Sequence, residues 1–153
     1  MKIRRATDAD RPAVQRLVDV AFTPYIERIG RPPGPMTADY GRALADSRVW
    51  VIDGDDGLDA VLVLEEHTDH LLIDVIAVDP AAQGRGVGTA LLDRAEADAR
   101  ELGLTELRLY TNEAMTENLL YYPRRGFEET GRRIEDGFRR VYYRKAVAPS
   151  SAL

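Results

Sequence analysis

Asp79-Pro80-Ala81-Ala82-Gln83-Gly84-Arg85-Gly86-Val87-Gly88-Thr89 is the stretch whose reading decides the fold. It follows Leu71-Leu72-Ile73-Asp74-Val75-Ile76-Ala77-Val78, apolar and β-branched enough for a buried strand. Behind it, Val87, Leu91, Ala95, Ala99 and Leu102 recur at helical spacing with charged residues between them. A glycine-rich turn therefore joins a core strand to the first turn of a long helix. The first N–H groups of a helix have no partner inside it, and the aligned peptide dipoles place about half a positive charge there. Gly84, Gly86 and Gly88 let the backbone approach a ligand closely. A pyrophosphate is the natural guest of such a junction.

The spacing narrows the guest. Gly-x-Gly-x-Gly puts Thr89 where a dinucleotide fingerprint needs its last glycine, and no Lys-Ser or Lys-Thr pair follows, as a P-loop requires. Read from its glutamine, Gln83-x-x-Gly86-x-Gly88 resembles the acetyl-CoA-binding motif of the GNAT superfamily of N-acyltransferases. The resemblance extends to the preceding Ala77-Val78-Asp79-Pro80. It implies acetyl-CoA as co-substrate, with Gln83, Gly84, Arg85, Gly86, Val87, Gly88 and Thr89 around its pyrophosphate. The competing reading is a flexible turn without a ligand.

Composition bounds the alternatives. A chain of 153 residues is one domain, and 44% hydrophobic with 31% charged residues describes a soluble globular protein rather than a disordered one. No apolar run approaches a membrane span and Met1-Lys2-Ile3-Arg4-Arg5 is no signal peptide, so the expected location is cytoplasmic, without membrane contact. A formal charge of −5 argues against nucleic acid as partner. Cysteine is absent, which excludes disulfides and a cysteine nucleophile, and His67 and His70 are too few for a His-rich metal site; no metal is expected.

Along the chain, Ile3 to Ala6 reads as a strand, and Thr7-Asp8-Ala9-Asp10 opens a helix whose apolar face is Val14, Leu17, Val18, Ala21 and Phe22. Residues 23–36 hold four of the eight prolines and read as an irregular segment, either a connector or a substrate-side wall in which Tyr25 and Arg28 contact the acceptor. Thr37 is the expected cap of a second helix through Tyr40 and Leu44. Strands at Val49–Ile52 and Asp59–Glu66 flank a polar turn, and the glycine-turn strand follows. Beyond the long helix come a strand at Glu106–Thr111, a short helix from about Met115 to Arg125, and strands at Phe127–Arg132 and Phe138–Lys145. This order is the one a GNAT fold requires. It implies an α/β domain of mixed α+β character over residues 1–146, with a central mixed sheet of about seven strands and about four helices. The sheet is expected to splay between its fourth and fifth strands, and residues 147–153 to form a disordered tail.

Tyr121-Tyr122-Pro123-Arg124-Arg125-Gly126-Phe127 resembles a second GNAT landmark, a tyrosine four residues before Gly-Phe. By that resemblance Tyr122 meets the thioester sulfur. A phenol with pKa about 10 stays neutral at pH 7 and donates a hydrogen bond to the leaving thiolate, which is the role of a general acid. The plain alternative is a core aromatic sharing a cluster with Tyr121 and Phe127, and Tyr121 is the rival for the acid role. Where the family usually carries an asparagine, seven residues before the tyrosine, Met115 stands here; Asn118 either takes over the pantetheine contact or is a helix-surface residue.

An amine acceptor arrives protonated, so a base is needed. Asp74 interrupts the apolar strand on the face expected to hold Ile76 and Val78, where burial would raise its pKa. It is either the base or a structural carboxylate paired with an arginine or tyrosine; Glu65, Glu66 and His70 are runners-up. The resemblance further implies that pantetheine pairs with main-chain groups of Ile76, Ala77 and Val78 like an extra strand. The late arginines, Arg124 to Arg140, read as a solvated strand face. The combined expectation is direct acetyl transfer to a small-molecule or peptide amine, without a covalent intermediate. Many relatives dimerise, so a homodimer is compatible with the resemblance. A non-catalytic acyl-CoA-binding module is the alternative, needing the loop but neither Tyr122 nor Asp74.

Overall fold

The structure, a computed structural model, describes residues 1–149. Seven strands form one sheet: β1 (Ile3–Arg5), β2 (Arg48–Gly54), β3 (Gly57–Glu66), β4 (Leu71–Val78), β5 (Glu106–Asn112), β6 (Glu128–Glu135) and β7 (Phe138–Ala146). Their spatial order is β1-β2-β3-β4-β5-β7-β6. Five α-helices join them: α1 (Arg11–Ile29), α2 (Gly34–Thr37), α3 (Tyr40–Asp46), α4 (Val87–Glu101) and α5 (Thr116–Arg124). All neighbours are antiparallel except β4 and β5, which the crossover helix α4 makes parallel.

Two apolar layers sandwich the sheet. On one side Val14, Leu17 and Val18 of α1 and Tyr40 of α3 pack on Val49, Val51, Val61, Val63, Val75 and Ala77. On the other, Leu91, Leu92, Ala95 and Ala99 of α4, with Tyr122 and Phe127, pack on Leu62, Leu64, Leu71, Ile73 and Leu107. Leu62, Leu64, Leu71, Leu91 and Leu107 are fully buried, so truncating any of them to alanine should cost about 2–5 kcal/mol. Asp98 is the one fully buried carboxylate among the described residues. It is satisfied by Trp50 Nε1 at 2.6 Å and Arg94 Nε at 2.9 Å, which ties α4 to β2.

The splay is literal. β4 and β5 pair only at Leu71–Leu107 and Leu72–Arg108 and then separate. Beyond Leu72 the β5-facing edge of β4 has no strand partner. A β-bulge marks the same region: Val63 pairs Val75 and Leu64 pairs Ile73, which leaves Asp74 as the extra residue.

Four expectations change here. α1 runs through Pro24 to Ile29, so the first half of the proline segment is helical; Phe22, Tyr25 and Ile26 are half-buried there and hold the turn despite the missing donor. Asp39, not Thr37, caps α3, accepting from the Arg42 N–H at 3.1 Å. The bulge breaks the two-residue alternation of β4, so Ile73, Ile76 and Val78 face the α4 side whereas Val75 and Ala77 face α1. Asp74 acts on Tyr40 and is acted on by Glu65, so its charge belongs to the α1 side rather than with Ile76 and Val78. Of the tail expected to be disordered, residues 150–153 lie outside the described residues. Val147, however, is buried and its N–H donates to the Thr105 carbonyl at 2.8 Å, while Arg100 Nε donates to the Ala148 carbonyl at 3.0 Å.

Candidate active site

The glycine turn forms an open cradle. Gly84 and Gly86 sit at φ +81° and +77°, a conformation that L side chains rarely adopt, and nothing lies within 4 Å of where their Cβ atoms would stand. The first helical bond of α4 runs from the Ala90 N–H to the Gly86 carbonyl, so the N–H groups of Val87, Gly88 and Thr89 have no acceptor within the helix. Gln83, Gly84, Arg85 and Gly86 are exposed around them. Gly88 serves differently. Its φ is not positive, but a Cβ there would come within 2.9 Å of the Tyr121 hydroxyl, so its missing side chain leaves room for that hydroxyl at the start of α4.

Before this cradle, Ile76, Ala77 and Val78 lie on the open edge of β4, and Ile76 lines a cavity of about 290 Å³ in the splay. Ile73 to Ile76 of β4 and Leu109 to Asn112 of β5 line its floor, and Met115, Asn118 and Tyr122 line it from the α5 side. Phe22, Pro33, Pro35 and Ala38 wall it opposite, with Phe138 and Arg140 of β7. Asp74 and Tyr122, separated by 47 residues of chain, thus share one cavity with Asn118.

Tyr122 is 5% exposed, its ring edge-on to Phe127 at 5.6 Å and tilted against Tyr143 at 5.9 Å. Burial pushes its phenol well above the ordinary range, with Tyr121 and Tyr143 adding to it, so the hydroxyl stays protonated. Tyr122 thus belongs both to the core cluster and to the cavity lining. Asp74 is also raised, first by burial and then by Glu65, against a downward pull from Arg140 and His67. Asn118 donates from Nδ2 to Thr111 Oγ1 at 3.0 Å, which leaves the amide oxygen as the acceptor it can offer a ligand.

Other expected residues lie elsewhere. Tyr25 and Arg28 do not line the cavity; Tyr25 donates to Glu117 Oε2 at 2.5 Å and Arg28 pairs with Glu117 Oε1. Arg31 donates to the Asp136 carbonyl and covers the Phe138 ring at 3.6 Å. The end of α1 and the loop after it thus strap across to α5 and to the β6–β7 hairpin. His67 Nε2 stands 2.8 Å from Glu65 Oε1 without hydrogen-bond geometry, and His70 Nδ1 is 2.7 Å from Asp69 Oδ1; both histidines line a second cleft. Glu66 is exposed.

Sequence reading missed Arg140, grouping it with solvated arginines, although its side chain is only 12% exposed and packs on Tyr110 and Phe138. It also missed Phe22 and Phe138 as walls; the proline signal reached Pro33 and Pro35. Among the described residues no group of His, Asp and Glu could hold a metal ion, and no helix is long and apolar enough to cross a membrane.

Comparison with known proteins agrees with this geometry. The profile of the acetyltransferase (GNAT) domain matches residues 45–129, from the end of α3 to the start of β6. The chain is 35% identical over 133 residues to the amino-acid acetyltransferase of Mycobacterium tuberculosis, covering 83% of this chain and 68% of that protein. It is 45% identical over 53 residues to the mycothiol acetyltransferase of Geodermatophilus obscurus, and the chain spans only 17% of that relative's length. The PaiA N-acetyltransferase of Thermoplasma acidophilum, solved in complex with coenzyme A, superposes with a TM-score of 0.78 over 95% of this chain and 98% of that one. Its identity is 16%, a likeness of fold.

Proposed function

This chain belongs to the GNAT acetyltransferase family, and from that premise we propose that it transfers the acetyl group of acetyl-CoA to a primary amine by direct attack in a ternary complex. One observation carries the reading: β4 runs from a cavity lined by a raised carboxylate and a protonated phenol, along an edge no strand pairs, toward an N–H-rich cradle.

The diphosphate of acetyl-CoA lies at the N–H groups of Val87, Gly88 and Thr89, where the helix dipole favours its charge. Pantetheine takes the place of the missing partner along Ile76 to Val78, its amide adding to the sheet, and Asn118 contacts it from α5. Asp74 accepts the proton of the substrate ammonium, and its raised pKa brings it toward the range useful for a base. The amine lone pair then attacks the thioester carbon, the C–S bond breaks, and Tyr122 gives its proton to the sulfur. The second proton of the nitrogen passes through water to the Tyr122 phenolate, leaving a neutral amide and CoA thiol. A main-chain N–H of β4 polarises the acetyl carbonyl. Alignment on the sheet supplies much of the acceleration.

Isothermal titration of the folded protein with acetyl-CoA, followed by CoA-thiol release with a panel of amines, tests this. Binding with turnover supports transfer. Binding without turnover of any amine would establish a non-catalytic acyl-CoA module, and no binding would overturn the whole reading.

A further inference from the structure

The cavity is selective in charge. Of its lining residues only Asp74 and Arg140 carry formal charge; the rest offer apolar surface, hydroxyls or amides. Asp74 stands on β4 and Arg140 on β7, with β5 between them, so their backbones lie at least about 10 Å apart. The long arginine side chain reaches back across Tyr110, whose ring centre is 4.4 Å from its guanidinium carbon, and Phe138 flanks it at 5.6 Å.

That guanidinium is under-used. It makes one hydrogen bond within the described residues, from Nη1 to Glu135 Oε1 at 2.9 Å, and Asp136 Oδ2 stands off at 4.0 Å from Nη2. A guanidinium carries five N–H donors, and those that Glu135 does not take have no protein partner among the described residues and keep contact with water. A ligand carboxylate can replace that water with charge-assisted hydrogen bonds.

We infer that the acceptor is a small amine that also carries a carboxylate, of the α-amino-acid class, its ammonium facing Asp74 and its carboxylate meeting Arg140. This deepens the acetyl-transfer reading above and rests on it. Complementarity runs at both ends: a guanidinium fork matches a carboxylate in two-point geometry. It also works against competitors. A diamine would bring a second cation to Arg140, and an amide-capped acceptor would leave the arginine donors short of a charged partner. Phe22, Pro33, Pro35 and Phe138 suit an apolar side chain on the acceptor.

The test is CoA-thiol release at saturating acetyl-CoA, with L-leucine, L-methionine and L-phenylalanine against their carboxamides and 1,4-diaminobutane. Rates are compared per protonated amine, the form that faces Asp74, because the amide's amine is the more acidic. The wild-type protein should prefer acids over amides by about tenfold or more in kcat/KM, the scale of a lost charge-assisted hydrogen bond. Arg140→Gln should bring that ratio toward one, and Arg140→Lys should retain part of it. Amines turned over without preference for the carboxylate, or a preference unchanged in Arg140→Gln, would overturn this inference alone. Bound acetyl-CoA with no amine turned over would overturn acetyl transfer, and this inference with it. The acid-to-amide comparison on the wild type stands even where a variant fails to fold.

Discussion

Tyr25, near the end of α1, donates its hydroxyl to Glu117 Oε2, in the first turn of α5, at 2.5 Å. With Arg28 on the other carboxylate oxygen, this pair fastens the acceptor side of the cavity to the helix that carries Tyr122. Tyr25 also packs on Phe22, a cavity wall, at 6.3 Å between ring centres.

The strap gives a pH dependence of stability. The Tyr25 hydrogen bond, and then Arg28, hold Glu117 at about 2, below its ordinary 4.5. A carboxylate depressed by folding stabilises above its unfolded pKa, and that contribution is lost as pH falls toward the folded one. Wild type should therefore be more stable than Glu117→Gln at pH 7, and the gap should close between about pH 4.5 and pH 2. Both Glu117 and Arg28 are about half exposed, so the gap should stay within about 1 kcal/mol and shrink in high salt. Urea unfolding across that pH range measures it; a gap that persists at pH 2 would deny the strap its ionic character.

Asp74 should set the rising limb of the pH–rate profile. Burial lifts its pKa above the ordinary 3.8, so kcat/KM should rise as pH climbs through that raised value and the carboxylate ionises. Asp74→Asn should lower kcat by about 10²-fold or more and remove that limb, with acetyl-CoA affinity little changed. A variant that keeps both rate and limb would return Asp74 to a structural role.

Legibility in the sequence followed what leaves a mark on residue identity. Gly84 and Gly86 were readable because the backbone there needs positive φ, which selects glycine. Asp74 announced itself by interrupting an apolar strand, yet its face was misjudged, because a bulge inserts a residue without any particular residue type. Arg140 looked like its solvated neighbours, since its burial depends on the β5–β7 register that stacks it on Tyr110. Pro24 looked like a terminator, though the half-buried Phe22, Tyr25 and Ile26 carry α1 past it. Long-range register, more than local pattern, was what the chain withheld.

Tyr122→Phe separates chemistry from packing at one atom. The ring keeps its contacts with Phe127 and Tyr143, so thermal stability should change little. Loss of the proton donor should lower kcat by roughly 10²-fold while the KM for acetyl-CoA holds. Because the phenol is pushed above its ordinary pKa, wild type should show no falling limb from Tyr122 below about pH 10. Tyr121→Phe is the control: its hydroxyl is at Gly88, outside the cavity lining, and kcat should be far less affected. The reverse ranking would move the acid role to Tyr121.

The cradle makes two separable demands on glycine. Gly86→Ala forces a side chain into φ +77°, at a cost of about 1–2 kcal/mol. The turn would relax and the N–H groups of Val87 and Gly88 would lose their common direction, so the Kd for CoA should rise about tenfold. Gly88→Ala strains no dihedral; its methyl instead meets the Tyr121 hydroxyl at 2.9 Å and displaces that side-chain end from the start of α4. That second penalty should be smaller in a Tyr121→Phe background, which removes the colliding oxygen, whereas the Gly86→Ala penalty should not change there. Calorimetric CoA titrations of the single and double variants complete both cycles. Equal coupling in the two would mean that the glycines act together on the loop, rather than one through φ and one through Tyr121.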